Sequence, residues 1–258
     1  MITVSLSRFD PIVAPPCVPA GERIYAIGDI HGRIDLFQAL LDQIRRDNEA
    51  RDPATVRLIL LGDIIDRGPA SAELVARCRA LSERSDRFVV LKGNHEAMMV
   101  DALGGNLHAL ALWLRNGGDA ALASWGVDAA LIAEGPPHKC IADARAHVPA
   151  ATIAWLRALP TTLRIGDYLF VHAGIRPGVP LADQTEPDLL WIRREFLDSG
   201  ADHGLVVVHG HSISARGPEL RANRIGIDTG AYRTGSLTAL MLEGSDRLLL
   251  STGPGEAA

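Results

Sequence analysis

The sequence predicts an α/β fold. Three successive segments each place a short apolar run, typical of a strand, before a Gly-containing loop and an amphipathic run, typical of a helix. In the first segment, residues 23–27 predict the strand, and apolar residues at helical spacing within 33–48 predict the helix. Alternating strands and helices favour parallel pairing, because each crossover helix returns the chain in the same direction. The loops that follow these strands should therefore meet at one edge of a sheet.

The other elements follow in order along the chain. The second segment predicts a strand at 56–61 and a helix at 71–82, and the third predicts a strand at 88–91, a loop at 92–96 and a helix at 97–103. Between 104 and 159 the composition changes to Ala, Leu and Trp without β-branched runs, which predicts a helical insertion. Further strands are expected at 168–171, 205–208, 224–228, 236–242 and 247–250. We expect a flexible Pro-rich tail at 1–21 and a single domain at 22–258.

Composition and charge restrict the possible functions. The chain of 258 residues is 47% hydrophobic and 22% charged, which is typical of a folded protein. Its 26 basic and 31 acidic side chains give a net charge of −5, so the broad cationic field that nucleic-acid binding requires is not expected. Three cysteines far apart indicate neither a disulfide framework nor a Cys-type zinc site. No apolar run suits a secretory signal or a membrane span, so we expect a cytoplasmic protein without membrane contact. The oligomeric state stays open.

Five loops that follow predicted strands carry side chains able to bind a metal ion. Such a residue alone is more often a turn or helix cap, or a structural histidine, but five together favour a common site. Carboxylate, imidazole and amide groups form the mixed ligand set that suits Mn²⁺, Fe and Zn²⁺ better than Ca²⁺ or Mg²⁺. The residues, loop by loop, are Asp29 and His31; Asp63 and Asp66; Asn94, His95 and Glu96; His172; and His209 and His211.

The five loops, taken in order, resemble the motifs of calcineurin-like metallophosphoesterases. They are GDIHG at 28–32, GDIIDRG at 62–68, GNHE at 93–96, VHAG at 171–174 and GHS at 210–212. The GDxxDRG and GNHE forms resemble the phosphoprotein phosphatase branch, in its bacterial and phage-type serine/threonine protein phosphatases. This resemblance implies a four-layer α/β/β/α fold, in which two mixed β-sheets stack face to face between outer helices.

The resemblance also implies two divalent metal ions, with Mn²⁺ favoured and Fe or Zn²⁺ as alternatives. Asp63 is the bridging ligand, since its two carboxylate oxygens can each bind one cation. A pair of metals can hold the attacking and the leaving oxygen of a phosphoryl transfer, and a bridging hydroxide would attack phosphorus in line. The ligands implied are Asp29, His31 and Asp63 for one metal, and Asp63, Asn94, His172 and His211 for the other.

The remaining chemistry implied by the resemblance belongs to four side chains. His95 would protonate the leaving oxygen, and Asp66 would orient its ring. Arg67 and Arg193 would bind the phosphate, since planar guanidinium groups match phosphate oxygens. The alternatives to Arg193 are Arg194 and Arg176.

One feature of the motifs separates subgroups of the family. Many wider members end in GHxH, whereas Ile213 stands at the last position here, which leaves His211 as the ligand. His209 is a weaker candidate, because it belongs to the opposite face of the strand end. Trp113 in the insertion, like Trp125 and Trp155, is interpreted as a packing residue.

The expected activity is hydrolysis of phosphoserine and phosphothreonine monoesters in proteins, and action on phosphotyrosine stays open. A symmetrical diadenosine tetraphosphatase is the alternative, although that group tends to carry GNHD where this chain has Glu96. A phosphatase acting on phosphorylated small molecules also stays open. A catalytically silent scaffold is disfavoured, because every ligand position and the acid are filled by suitable residues.

Overall fold

The computed structural model describes residues 15–214 and 216–253. The strands in this part are β1 (Glu22–Ile27), β2 (Thr55–Leu60), β3 (Phe88–Val90), β4 (Thr162–Ile165), β5 (Tyr168–Val171), β6 (Val206–His209), β7 (Glu219–Leu220), β8 (Arg224–Gly226), β9 (Thr238–Glu243) and β10 (Asp246–Ser251). The α-helices are α1 (Ile34–Glu49), α2 (Ser71–Arg84), α3 (Asn94–Leu103), α4 (Leu107–Trp113), α5 (Asp119–Ser124), α6 (Ala129–Ala133), α7 (Pro137–His147), α8 (Ala150–Ala158), α9 (Glu186–Trp191), α10 (Arg194–Leu197) and α11 (Ala231–Thr234). A π-helical turn (Leu114–Gly118) joins α4 to α5.

The strands form two mixed sheets. The first sheet has the order β10-β9-β1-β2-β3, with β1, β2 and β3 parallel and β9 antiparallel to both of its neighbours. The second has the order β4-β5-β6-β8-β7, with β5, β6 and β8 parallel and the two edge strands antiparallel. The parallel strands at the centre of each sheet end at the loops that carry the sequence motifs.

Alternation along the strands builds the layers. In β1, Ile24 and Ala26 pack between the two sheets, whereas Tyr25 and Ile27 face the helices on the other side. In β5, Tyr168 and Phe170 face the first sheet, whereas Leu169 and Val171 face α9 and α10. Both sheets are therefore buried on both faces, which gives the four layers α/β/β/α. The predicted fold class is confirmed.

Several boundaries differ from the predictions. Helix α3 begins at Asn94, three residues earlier than expected, because the Glu96 side chain accepts the backbone N–H of Gly93 and stabilises the first turn. Strands β4 and β7 are short edge strands that the apolar pattern did not indicate. Helices α4 to α8 lie within the segment 104–159 that was expected to be a helical insertion.

The expected tail divides into two parts. Residues 1–14 lie outside the described residues. Within 15–21 the chain packs against the domain: Val18 is buried, and its amide donates to the carbonyl of Gly244 at 3.0 Å. Among the described residues, no helix has the length and apolar character needed to span a membrane.

Candidate active site

The motif loops meet where strands of both sheets end. In the first sheet, the amide of His31 donates to the carbonyl of Asp63 at 2.9 Å, which joins the loops after β1 and β2. In the second sheet, the amide of Gly210 donates to the carbonyl of His172 at 2.8 Å. The Asp29 carboxylate accepts the amide of His211 at 3.0 Å, so one hydrogen bond links the first sheet to the second. The site is thus built across both sheets.

Five non-glycine residues in these loops adopt the left-handed backbone conformation, with positive φ. This conformation is uncommon for residues with a side chain and clusters at functional sites, where the surrounding structure must hold it. All five belong to the predicted motifs: His31 (48°), Asp63 (48°), Asp66 (74°), Arg67 (66°) and His211 (60°). The local strain is therefore concentrated on the residues that the motifs singled out.

Two glycines allow the loops to come this close. A Cβ atom on Gly93 would collide with the backbone and carboxylate of Asp63, and one on Gly210 would collide with the Asp29 carboxylate. Any larger residue at either position would push a predicted metal ligand out of place.

Asp63 lies at the centre of two groups of side chains whose ligand atoms are within 4.8 Å of one another. On one side, Nε2 of His31 and Nε2 of His95 each lie 3.7 Å from Asp63 Oδ2. On the other side, Nε2 of His172 lies 3.4 Å from Asp63 Oδ1, and His211 completes the group. All of these residues are buried. The two carboxylate oxygens of Asp63 thus face two different groups of histidines.

The imidazole rings are oriented to present Nε2 to the site. Nδ1 of His31 lies 2.8 Å from the carbonyl oxygen of Ile65, and Nδ1 of His172 lies 2.8 Å from that of Leu61. A carbonyl oxygen only accepts, so Nδ1 carries the proton and the lone pair of Nε2 is available. Nε2 of His211 is buried and has no hydrogen-bond partner among residues 15–214 and 216–253. This donor set fits a divalent cation.

Electrostatics support the same assignment. Burial lowers the pKa of His31 to about 3, and burial also lowers the pKa of His172 and of His211. These rings are therefore neutral, as metal ligands must be. Burial alone would raise the pKa of Asp63, but nearby positive charge on histidine outweighs it and holds the pKa below its ordinary value. His95, whose pKa is raised, is the ring that keeps this charge.

Another buried carboxylate, Asp228, was missed by the sequence analysis. It follows β8, is 4% exposed, and accepts the amide of Gly230 at 2.9 Å. Burial raises its pKa to about 6. Burial, Asp228 and Asp63 together raise the pKa of Asp29 well above its ordinary value. The signal was present, since Asp228 ends a predicted strand as the other motif residues do. A bound cation would offset this concentration of negative charge.

His95 and Asp66 form a buried pair. Nδ1 of His95 lies 2.5 Å from Asp66 Oδ2, and the indole Nε1–H of Trp113 donates to both oxygens of the same carboxylate. Burial would lower the pKa of His95, but the carboxylates of Asp63 and Asp66 outweigh it and raise the pKa above the usual histidine value. His95 therefore keeps its proton to higher pH than an ordinary histidine, and its Nε2 faces Asp63 and Arg67. Trp113 is a core residue, as expected, and contacts this pair in addition.

Arg67 reaches across the front of the site. Its Nη1 donates to His31 Nε2 at 2.9 Å, and its Nη2 lies 3.1 Å from His95 Nε2. The guanidinium also lies 4.5 Å from the ring centroid of Tyr232, a residue that the sequence analysis did not identify. A cation on His31 Nε2 would replace one of these hydrogen bonds, because a single lone pair serves one partner. Arg67 therefore joins a candidate metal ligand to the candidate acid.

Glu96 has a role that the motif alone did not reveal. Its buried carboxylate accepts four backbone amides, of which Gly93 and Asp63 bind Oε2 and Ile64 and Ile65 bind Oε1. Burial and the nearby Asp63 raise its pKa to about 7, while the amide donors act in the opposite direction. Glu96 fixes the loop after β2 to the start of α3.

The other predicted residues differ in how they relate to this cluster. Asn94 Oδ1 lies 2.8 Å from His172 Nε2, inside the site. Arg193 is exposed and lies beside the His211 loop, with Nη1 3.5 Å from the hydroxyl oxygen of Ser212. Arg176 is paired with Asp188 on the surface instead.

His209 faces away from the cluster. Its ring packs edge-on against Phe196 in the outer layer of the second sheet, with centroids 5.2 Å apart. Nδ1 of His209 lies 3.0 Å from the carbonyl oxygen of Gly210. The structure therefore separates His209 from the ligands that precede and follow it in the motifs.

Comparison with known proteins agrees with this geometry. The family model described as calcineurin-like phosphoesterase matches residues 22–232, which contain all five motifs. The chain belongs to this family. It is therefore a hydrolase of phosphoesters, in a family that uses divalent metals, and the predicted resemblance is confirmed.

Individual relatives carry two different names. Serine/threonine-protein phosphatase 1 of Salmonella typhimurium is 33% identical over 85% of this chain and 92% of the relative. A symmetrical bis(5'-nucleosyl)-tetraphosphatase of Aromatoleum aromaticum is 33% identical over 60% of this chain and 45% of the relative. Among solved structures, a candidate diadenosine tetraphosphatase has a TM-score of 0.62 at 20% identity, covering 94% of this chain and all of the other. That last likeness shows the fold alone.

Proposed function

We propose that this protein is a metal-dependent phosphatase that hydrolyses phosphoserine and phosphothreonine monoesters. The observation that carries the proposal is that Arg67, a phosphate-binding type of side chain, contacts both His31 and His95. A phosphate bound by this arginine lies between the candidate metal ligands and a buried proton donor. Phosphate binding, charge stabilisation and proton donation each contribute to monoester hydrolysis, and this arrangement would supply all three.

Two divalent cations are part of the proposal, with Mn²⁺ favoured and Fe or Zn²⁺ as alternatives. When bound, the two cations offset the charge of the phosphate and make water a stronger nucleophile at neutral pH. Asp63 would be shared between them. The other ligands proposed are Asp29 and His31 on one side, and Asn94, His172 and His211 on the other.

The chain's own groups account for substrate binding and proton transfer. Arg67 presents two amino groups toward the site, which suits two oxygens of a phosphate. As water's oxygen bonds to phosphorus, the bond from phosphorus to the ester oxygen breaks, and the Nε2 proton of His95 passes to that leaving oxygen. The products are an alcohol and inorganic phosphate. Arg193, exposed at the rim, is proposed as the second phosphate ligand.

The substrate class rests on the motifs and on one relative. The GDIHG, GDIIDRG and GNHE motifs resemble the forms that serine/threonine phosphatases carry. The phosphatase of Salmonella typhimurium aligns with 85% of the chain at 33% identity. Both observations support a phosphoprotein substrate, although the same site would accept other monoesters.

A symmetrical dinucleoside tetraphosphatase is the second candidate. It is favoured by the similarity to the Aromatoleum aromaticum protein of that name. The same metal ligands would serve either reaction, because both break a bond between phosphorus and a bridging oxygen. Only the products differ.

The deciding experiment measures products from two substrates with Mn²⁺ present. A phosphoserine or phosphothreonine peptide should release inorganic phosphate, whereas diadenosine tetraphosphate should stay intact. ADP formation with an inert peptide would overturn the proposal in favour of the tetraphosphatase.

A pair of variants links the activity to the site. His95→Asn should lower kcat by roughly 10²–10⁴-fold, the usual contribution of general acid catalysis, with metals still bound. His138→Asn changes an exposed histidine of α7 in the same way and should have no effect. Full activity of His95→Asn would remove His95 from the mechanism.

A further inference from the structure

We infer that Trp113, supplied by the helical insertion, is a positioning residue for the leaving-group acid: it orients the Asp66 carboxylate, which in turn orients His95. The inference rests on the roles proposed above for Asp66 and His95. It gives the segment between α3 and β4 a part in catalysis that its packing alone does not indicate.

The contacts are direct and buried. The indole Nε1 of Trp113 lies 2.9 Å from Oδ1 and 2.8 Å from Oδ2 of Asp66. The carboxylate receives one other hydrogen bond within residues 15–214 and 216–253, from Nδ1 of His95 at 2.5 Å. Asp66 and Trp113 are both fully buried. Water therefore does not solvate this carboxylate, and the indole is one of its two partners.

The hydrogen bond from Trp113 matters because His95 can protonate the leaving group only when its ring is correctly oriented. A buried carboxylate is costly unless donors satisfy it, and each missing donor favours its rotation toward another partner. The indole N–H contacts both oxygens and so fixes the plane of the carboxylate. With that plane fixed, Oδ2 accepts the Nδ1 proton of His95, and Nε2 is directed to the site. Loss of the indole would leave this orientation to one hydrogen bond.

The chain around Trp113 is shaped to aim the indole. The turn after α4, at 114–118, brings Gly118 against the ring, where a Cβ atom would lie 2.7 Å from three indole atoms. Gly117 in the turn has φ of 98°, a conformation that favours glycine. The ring is therefore held between its own helix and Asp66.

The same turn also holds the arginine. The amide of Arg67 donates to the carbonyl of Gly117 at 3.0 Å, and Arg67 Nε donates to the carbonyl of Asn116 at 3.4 Å. One short segment, 113–118, thus contacts both Asp66 and its neighbour Arg67. This double contact is not expected of a segment that serves packing alone.

The test compares leaving groups. Phenyl phosphate releases a basic phenolate that needs a proton, whereas 2,4-dinitrophenyl phosphate releases a stable one that does not. Trp113→Phe should lower kcat for phenyl phosphate by roughly 10- to 100-fold, part of the effect of losing the acid. With 2,4-dinitrophenyl phosphate, kcat should stay within about threefold of the wild-type value. KM should change little for both substrates, since Arg67 is retained.

Two control variants distinguish a wrong assignment of the acid from a wrong inference about Trp113. Trp155→Phe removes another indole hydrogen bond of the insertion, to Ser82 at 3.2 Å and far from the acid, and should affect neither substrate. His95→Asn should also lower kcat more for phenyl phosphate than for 2,4-dinitrophenyl phosphate, and its loss of kcat for phenyl phosphate should be larger than that of Trp113→Phe. If His95→Asn shows no such preference, the proposed acid is wrong. If it does and Trp113→Phe slows both substrates equally, only the inference about Trp113 is overturned.

A spectroscopic measurement covers the case in which Trp113→Phe does not fold. The four indole N–H resonances of the protein loaded with diamagnetic Zn²⁺ can be assigned from Trp125→Phe, Trp155→Phe and Trp191→Phe, which leaves the fourth to Trp113. A hydrogen bond to a carboxylate shifts that proton downfield, so Asp66→Asn should move it upfield. An unmoved resonance would contradict the contact.

Discussion

At the scale of single residues, the site depends on how charges are paired in a buried space. His95 gains proton affinity because the carboxylates of Asp63 and Asp66 lie close to it, and its positive charge favours the ionised form of Asp63. Burial keeps His31 and His172 neutral, although the backbone carbonyl beside each Nδ1 acts in the opposite direction. One cluster thus contains neutral ligands and a charged acid, distinguished by their hydrogen-bond partners.

The pairing of His95 with Asp66 predicts a pH effect. Because the pKa of His95 is raised, its protonated form persists to higher pH, and acid catalysis is lost as pH rises through that pKa. Asp66→Asn removes one of the two carboxylates that raise it, so the alkaline limb of kcat should move to lower pH. The measurement is kcat against pH with phenyl phosphate. His138→Asn should leave the limb in place, and an unmoved limb in Asp66→Asn would argue against the pairing.

At the scale of elements, the motifs located the loops that meet at the candidate site, but they did not show where the helices begin. The apolar pattern of α3 starts at residue 97, so Asn94 and His95 were placed in a loop. They lie instead in the first helical turn, because Glu96 satisfies amides at the helix start. An apolar periodicity cannot show this, since the residues concerned are polar and face the site.

Trp113 shows a second limit of the sequence. Its partner Asp66 is 47 residues away, and a tryptophan at helical spacing indicates a core residue. That interpretation was correct for its burial but could not include the hydrogen bond, which depends on how the insertion packs. Edge strands β4 and β7 were missed because they have only four and two residues, and each pairs with one neighbouring strand.

Glu96 joins the loop after β2 to the start of α3, so its substitution should lower the stability of the fold. Glu96→Gln keeps one acceptor oxygen and places an amide N–H₂ against backbone donors that now bind the carboxylate. We expect the free energy of unfolding to fall by roughly 1–3 kcal/mol, the cost of leaving buried donors unsatisfied. Urea unfolding of the metal-free protein measures it. Glu195→Gln changes an exposed glutamate and should cost little; equal stabilities of the two variants would contradict the role of Glu96.

At the scale of the whole molecule, the candidate site is where the two sheets meet. Asp29, His31 and Asp63 come from loops of the first sheet, and His172 and His211 come from loops of the second. The order of the motifs was readable in the sequence, and the resemblance supplied the two stacked sheets. Strand patterns alone could not assign strands to sheets, because both sheets are buried on both faces and have similar apolar sequences.

A metal that binds ligands from both sheets should stabilise the entire fold. The native protein gathers the buried carboxylates of Asp29, Asp63 and Asp228 at one point, and a cation bound there favours the folded state over the unfolded one. At a Mn²⁺ concentration about 100 times the Kd, the gain is about 2.7 kcal/mol, or roughly 5 °C in Tm for a chain of this size.

Thermal unfolding with EDTA and with Mn²⁺ measures this difference. Asp63→Asn should abolish most of the gain, because both groups of ligands depend on Asp63, whereas Asp202→Asn, at an exposed position, should retain it. A Mn²⁺-induced rise of equal size in Asp63→Asn would show that the metal binds elsewhere. A rise in the wild type that vanishes in Asp63→Asn would indicate that the two halves of the site are coupled through one carboxylate.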